Sequence, residues 1–127
     1  MIMITGGAYQ GKTQFAVSEY GCKITDGKCC EIDSVFTAEC VKNYHLLVKR
    51  LLENGENPVE FTERLCRENP SLIVIMDEIG GGIIPLEKSE RIWRETVGKA
   101  GCIIAGNSEK VIRMICGIPH ILKGQKQ

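Results

Sequence analysis

Met1-Ile2-Met3-Ile4-Thr5 runs directly into Gly6-Gly7-Ala8-Tyr9-Gln10-Gly11-Lys12-Thr13, and the reading of this stretch decides the fold. A short apolar run cut off by two glycines predicts a buried strand, since it is too short for a helix. The next eight residues fit the pattern G-x-x-x-x-G-K-[ST], and a helix is expected from Lys12 to about Tyr20. Glycines let the backbone curl so that its N–H groups converge on an anion at a helix N-terminus. Gly6, Gly7, Ala8, Tyr9, Gln10 and Gly11 are therefore expected to supply backbone donors. Lys12 is expected to reach the β- and γ-phosphates, and the Thr13 hydroxyl to ligate Mg²⁺. The competing reading is a chance Gly-Gly turn before an unrelated helix. Strand, loop, Lys-Thr pair and helix in the required order decide for nucleotide binding.

Working outward, Gly21 supplies a helix stop and Thr25-Asp26-Gly27 reads as a turn. Lys28 to Asp33 reads as a short strand ending in an acid. Ser34 or Thr37 is expected to cap a helix from about Ala38 to Glu53. Its apolar positions are Val41, Tyr44, His45, Val48, Leu51 and Leu52, with Lys42, Asn43, Lys49 and Arg50 on the other side. Pro58 opens a second helix that lasts to Glu68, and Asn69-Pro70 breaks it.

Leu72-Ile73-Val74-Ile75-Met76-Asp77-Glu78 is the second strong signal. A continuous run of mostly β-branched residues without alternation predicts a strand covered on both faces. It ends in Asp-Glu, the form of a Walker B segment, whose acid approaches the nucleotide's Mg²⁺. The glutamate beside it is a candidate to polarise an attacking hydroxyl. A surface acid pair ending an ordinary strand is the bland alternative. Gly80-Gly81-Gly82 then predicts a loop on the ligand side of the sheet. A helix capped by Ser89 is expected through about Gly106, with Gly101 to Ala105 as an alternative strand. Val111 to Cys116 is the last strand, closed by Gly117-Ile118-Pro119, and the tail from Lys123 to Gln127 reads as loose. Strands separated by helices imply a three-layer α/β fold of P-loop NTPase type. It would be a mostly parallel sheet with helices on both faces, one nucleotide-binding domain across residues 1–127.

Sixteen basic residues balance 16 acidic ones with no block of like charge, which argues against nucleic acid or a membrane surface as partner. No apolar stretch approaches the roughly 20 residues of a membrane span, and the strand-like start lacks a basic signal region. A cytoplasmic location is expected. Seven cysteines, at 22, 29, 30, 40, 66, 102 and 116, include no C-x-x-C pair and argue against a zinc site. Cys29, Cys30, Cys102 and Cys116 lie in apolar runs and read as small buried hydrophobes.

Glu78-Ile79-Gly80-Gly81-Gly82-Ile83-Ile84-Pro85, then Arg91-Ile92-Trp93-Arg94-Glu95 with Gly98, then Gly117-Ile118-Pro119 with Leu122-Lys123, carry a resemblance. They resemble the N-E-V-G-x-G-I-V-P, R-x-[FW]-R-D and G-x-P segments of the adenosylcobinamide kinase/adenosylcobinamide-phosphate guanylyltransferase family. The loop Gly6–Thr13 is similar to its G-G-A-x-S-G-K-S, and Asp33-Ser34-Val35-Phe36-Thr37 to its D-C-L-T-x-W-L. The likeness covers residues 1–20 and 28–123. It implies a nucleotide-using enzyme of cobalamin biosynthesis, a corrinoid substrate and a homo-oligomer. This chain differs at Asp77, where the family has asparagine, and at Gln10 and Thr13, where it has serines. If Asp33 matches the family aspartate, the chain is a shortened member. It then lacks the segment whose histidine accepts the guanylyl group, and His45 is the candidate replacement; His120 shows no partner.

Three readings follow. The first is a kinase moving the γ-phosphoryl of ATP or GTP to a corrinoid hydroxyl, with Lys12, Glu78 and Asp33 catalytic. In it, Thr13 with Asp77 or Asp33 holds Mg²⁺, Glu78 or Asp33 handles the acceptor hydroxyl, and Gly80–Gly82 borders the acceptor. The second is guanylyltransfer through His45. The third is a shortened paralogue that binds nucleotide as a regulatory or assembly module.

Overall fold

A computed structural model describes residues 1–79 and 87–124. Strand β1 (Ile2–Gly6) leads through the glycine loop into helix α1 (Lys12–Tyr20). Strand β2 (Ile24–Asp26), a 3₁₀ turn (Ile32–Phe36) and strand β3 (Cys40–Lys42) follow. Helices α2 (Tyr44–Glu53) and α3 (Pro58–Glu68) lead to strand β4 (Ile73–Asp77). Helix α4 (Lys88–Asn107) and the strands β5 (Lys110–Ile115) and β6 (Ile118–Lys123) complete the described chain. Among the described residues the strands form one sheet in the order β2-β3-β4-β1-β5-β6, parallel except for β6. This is the α/β architecture expected, mostly parallel with helices on both faces.

Side-chain alternation along the central strands builds two cores. Ile4, Ile73, Ile75, Ile112 and Met114 face Ala16 and Phe15 of α1. Met3, Val74, Met76 and Val111 face the other way, onto Tyr44, Leu47, Leu51, Leu65, Val97 and Ile104 of α2, α3 and α4. Burial on both faces is why β1 and β4 read as unbroken apolar runs. The register puts Gly6 beside Asp77. The glycine loop and the acidic end of β4 therefore meet at the carboxyl edge of the sheet.

Several local expectations are corrected. Ile24-Thr25-Asp26 is an edge strand, and the chain turns only at Gly27. A Cβ there would lie 2.9 Å from the Lys42 and Asn43 carbonyls, so only glycine fits. Lys28 to Asp33 makes no strand. The Cys29 and Cys30 amides return to the Asp26 carbonyl, and the Arg50 guanidinium takes the Gly27 and Cys30 carbonyls (2.8 and 2.7 Å), leaving nothing for a ladder. The helix expected from Ala38 begins only at Tyr44. Cys40–Lys42 fills the place between β2 and β4, and Asn43 adopts φ 58°, which no helix continues through. Ser34 and Thr37 hydroxyls bond within the 3₁₀ turn instead of capping α2.

Helix α4 begins at Lys88, ahead of Ser89, and stays helical through Gly101, so the alternative strand does not form. Met76 and Met3 methyl groups lie 3.7 and 3.8 Å from where a Gly101 Cβ would be, so its bare backbone lets the helix sit on the sheet. Ile118-Pro119 does not end the sheet: Cys116 (φ 50°) and Gly117 (φ 76°) form a tight hairpin turn into β6. Lys123 belongs to that strand, its ammonium on the Ala105 carbonyl at 2.9 Å, while residues 125–127 lie outside the described residues. Cys29, Cys102 and Cys116 are exposed, whereas Cys40 and Cys66 are the buried thiols. Burial pushes the Cys40 thiol up. No described helix is long and apolar enough to cross a membrane.

Gly6 has φ 146°, and a Cβ on it would stand 2.5 Å from the Met114 carbonyl oxygen of β5. Gly6→Ala is expected to lower stability by about 2 kcal/mol or more, from both strain and clash. Urea denaturation checks this; a variant as stable as the parent would contradict the β1–β5 packing described.

Candidate phosphate-binding site

Positive φ at Gly6 (146°), Tyr9 (61°) and Gly11 (85°) curls the loop between β1 and α1. Gly11 sits at the helix start, so the loop closes on the positive end of the α1 dipole. Two anchors hold the loop. The Glu78 amide donates to the Gly6 carbonyl (2.8 Å), and the Gly117 amide to the Gln10 carbonyl (3.2 Å). The Gln10 side chain adds a third contact, its Oε1 accepting from the Cys116 amide of the β5–β6 turn. That turn, absent from the sequence reading, explains the glutamine. Tyr9 at the loop tip is fully exposed.

Lys12, only 7% exposed, donates to the Gly7 carbonyl (2.6 Å) and lies 2.7 Å from Asp77 Oδ1. Asp77 Oδ2 in turn lies 3.4 Å from His45 Nε2. The Asp77 amide donates to His45 Nδ1 (3.1 Å), so the proton of the neutral ring sits on Nε2, facing the carboxylate. Burial holds His45 below its ordinary value, against the pull of Asp77 and with Lys12 adding to the lowering. The Trp93 indole fixes the His45 carbonyl from α4 at 2.8 Å. Both ring nitrogens of His45 thus lie against Asp77, and the residue is 5% exposed.

A cavity of about 550 Å³ opens over this edge, lined by Ala8, Tyr9, Gly11, Lys12, Thr13, Gln14, Lys42, Asn43 and Asp77. Lys12, Thr13 and Asp77 thus come together with the loop. Two expected residues do not join them. Asp33 is exposed in the 3₁₀ turn, and Asn69 Nδ2 holds the Val35 carbonyl of that turn and the Ala38 carbonyl after it (2.9 and 3.0 Å). Asn69 precedes β4, at the amino end of the parallel strands, so Asp33 stands away from the cavity. Glu78 follows Asp77, but its carboxylate is paired with Arg113 of β5 (Nε 2.7 Å, Nη2 3.0 Å) and lines no part of the cavity. His120, also exposed, lies opposite Arg113 on β6. Gly80–Gly82 lies outside the described residues.

Gln14, Lys42 and Asn43 are the cavity residues that sequence reasoning missed. Helical periodicity put Lys42 and Asn43 on a solvent face, whereas the end of β3 sets them on the cavity wall beside Asp26. Asn43 carried a readable signal, because asparagine tolerates a left-handed φ and so marks a strand–helix junction.

With the geometry in place, residues 32–122 match the family model described as cobinamide kinase / cobinamide phosphate guanyltransferase. No curated protein matches the chain. The matched span begins after the glycine loop, so the loop's reading stands on its own pattern and shape.

Gln10→Ala is expected to raise amide hydrogen exchange at Cys116 by about tenfold, since it removes one protecting bond. Unchanged exchange there would mean the glutamine does not hold the turn.

Proposed function

The chain belongs to the cobinamide kinase / cobinamide phosphate guanyltransferase family, and within it we propose the kinase reaction: transfer of the γ-phosphoryl of ATP or GTP to a cobinamide hydroxyl, a step of cobalamin biosynthesis. The observation that carries this reading is the Lys12–Asp77 pair on the wall of a cavity shaped by the glycine loop. A kinase needs a phosphate cradle, a cation and a metal-holding acid at one place, and little covalent chemistry beyond them.

The loop amides and Lys12 bind the phosphates of the donor. The acceptor hydroxyl oxygen attacks the γ-phosphorus, the bond to the β-phosphate bridging oxygen breaks, and nucleoside diphosphate leaves. The hydroxyl proton passes to solvent or to the transferred phosphoryl group. Glu78 would have to release Arg113 before taking it. The donor set fits Mg²⁺, an oxygen-seeking ion that keeps most of its ligands as water and phosphate. Asp77 and the Thr13 hydroxyl line the same cavity, and no group of three or more His, Cys, Asp or Glu gathers among the described residues to suit a softer ion. Bound there, Mg²⁺ would neutralise charge on the β- and γ-phosphates. His45, engaged on both nitrogens, supports the kinase reaction over guanylyltransfer by this chain.

Incubation with MgATP or MgGTP tests the reading, with nucleoside diphosphate followed with and without adenosylcobinamide. Corrinoid-dependent release is expected, lowered about a hundredfold or more by Asp77→Ala. Nucleotide binding without corrinoid-dependent release would replace the kinase with a nucleotide-binding module.

A further inference from the structure

We propose that Lys42 is a second phosphate-contacting cation, directed at the terminal phosphate of a bound nucleoside triphosphate. The inference rests on the phosphate-binding reading of the cavity and adds to it the part that tells a triphosphate from a diphosphate.

Position carries the argument. The strands run β3-β4-β1, and the β3–β4 register continued by one residue puts Lys42 beside Ile75, two residues short of Asp77, which stands beside Gly6 at the start of the loop. Adjacent strands stand about 4.8 Å apart, which puts the Lys42 backbone about 10 Å from β1. A diphosphate on the loop occupies the β1–α1 side. A nucleotide so bound would meet Lys12 with both its β- and γ-phosphates, the γ-phosphate reaching furthest toward Asp77 and β3. Lys42 shares the cavity wall with Lys12, Thr13 and Gln14. Cys40, two residues earlier on the strand, packs in the core beneath α1, and alternation puts Lys42 on that same face.

The charge balance points the same way. Lys42 is half-exposed and its ammonium is 4.0 Å from Asp26 Oδ2, the outer limit of an ion pair. The Asp26 Oδ1 accepts from Asn43 Nδ2 and the Lys28 amide, both at 2.9 Å, and Oδ2 is the oxygen on the Lys42 side. Those bonds fix the Asn43 turn, and with it the end of β3, while the Lys42 head stays loosely held. A backbone fixed by neighbours and a cationic head free to move suit a group that closes on an anion when one arrives.

Calorimetric titration of the full chain with the Mg²⁺ complexes of ATP, ADP, GTP and GDP tests this in the parent, Lys42→Met and Lys42→Arg. Lys42→Met is expected to weaken triphosphate binding about tenfold and to leave diphosphate binding within about twofold. Lys42→Arg keeps the parent's ratio of the two affinities. A parent ratio in Lys42→Met overturns the inference and leaves the loop reading standing. Equal weakening of both nucleotides, not rescued by arginine, also overturns it, by showing a structural role. A parent chain that binds neither nucleotide overturns the inference together with the loop reading.

Discussion

A lysine ammonium is costly to bury without a counter-charge, and Lys12 is held where little solvent reaches it. Asp77 supplies that charge at 2.7 Å. The contact is possible only because β1 and β4 are neighbours in a parallel sheet and in register, Gly6 beside Asp77. The remaining architecture serves that alignment. Apolar side chains on both faces of β1 and β4 clamp the two strands between α1 and the α2–α3–α4 layer. The β5–β6 hairpin braces the loop from one side, through Gln10. From the other, α2 reaches Asp77 with His45, and α4 steadies His45 through Trp93.

This arrangement stores a response to ligand. In the free chain Lys12 is committed to Asp77 and a loop carbonyl. On the proposed reading, a phosphate would compete for Lys12 and a metal cation for Asp77, and the pair would separate into the two halves of a nucleotide site. His45 contacts both the backbone amide and the carboxylate of Asp77.

Sequence gave access to the parts with strong local physics. MIMIT and LIVIMDE are doubly covered strands, and their apolar runs say so. Gly21 (φ 60°) ends α1 and Pro58 opens α3, each for a backbone reason written in one residue. What escaped was decided by distant partners. Three-residue strands such as Ile24–Asp26 and Cys40–Lys42 are too short to show a period, and they exist because the sheet edge accepts them. Val41 is apolar on either reading, so periodicity could not separate strand from helix there. Asp33 looked like an acid poised after a strand, but Arg50 and Asn69 pull its segment into a turn at the far end of the sheet. Lys12, Thr13 and Asp77 were legible as a group because their motif spacings encode the fold itself. Lys42 was not, since its place depends on β3.

The most direct measurement is calorimetric binding of MgADP to the chain and to Lys12→Ala, with circular dichroism to establish that the variant is folded. The account predicts saturable binding by the parent and its loss in the folded variant. Equal affinity in the two would contradict it, because the phosphate would then be held without the lysine that the strand register places beside Asp77.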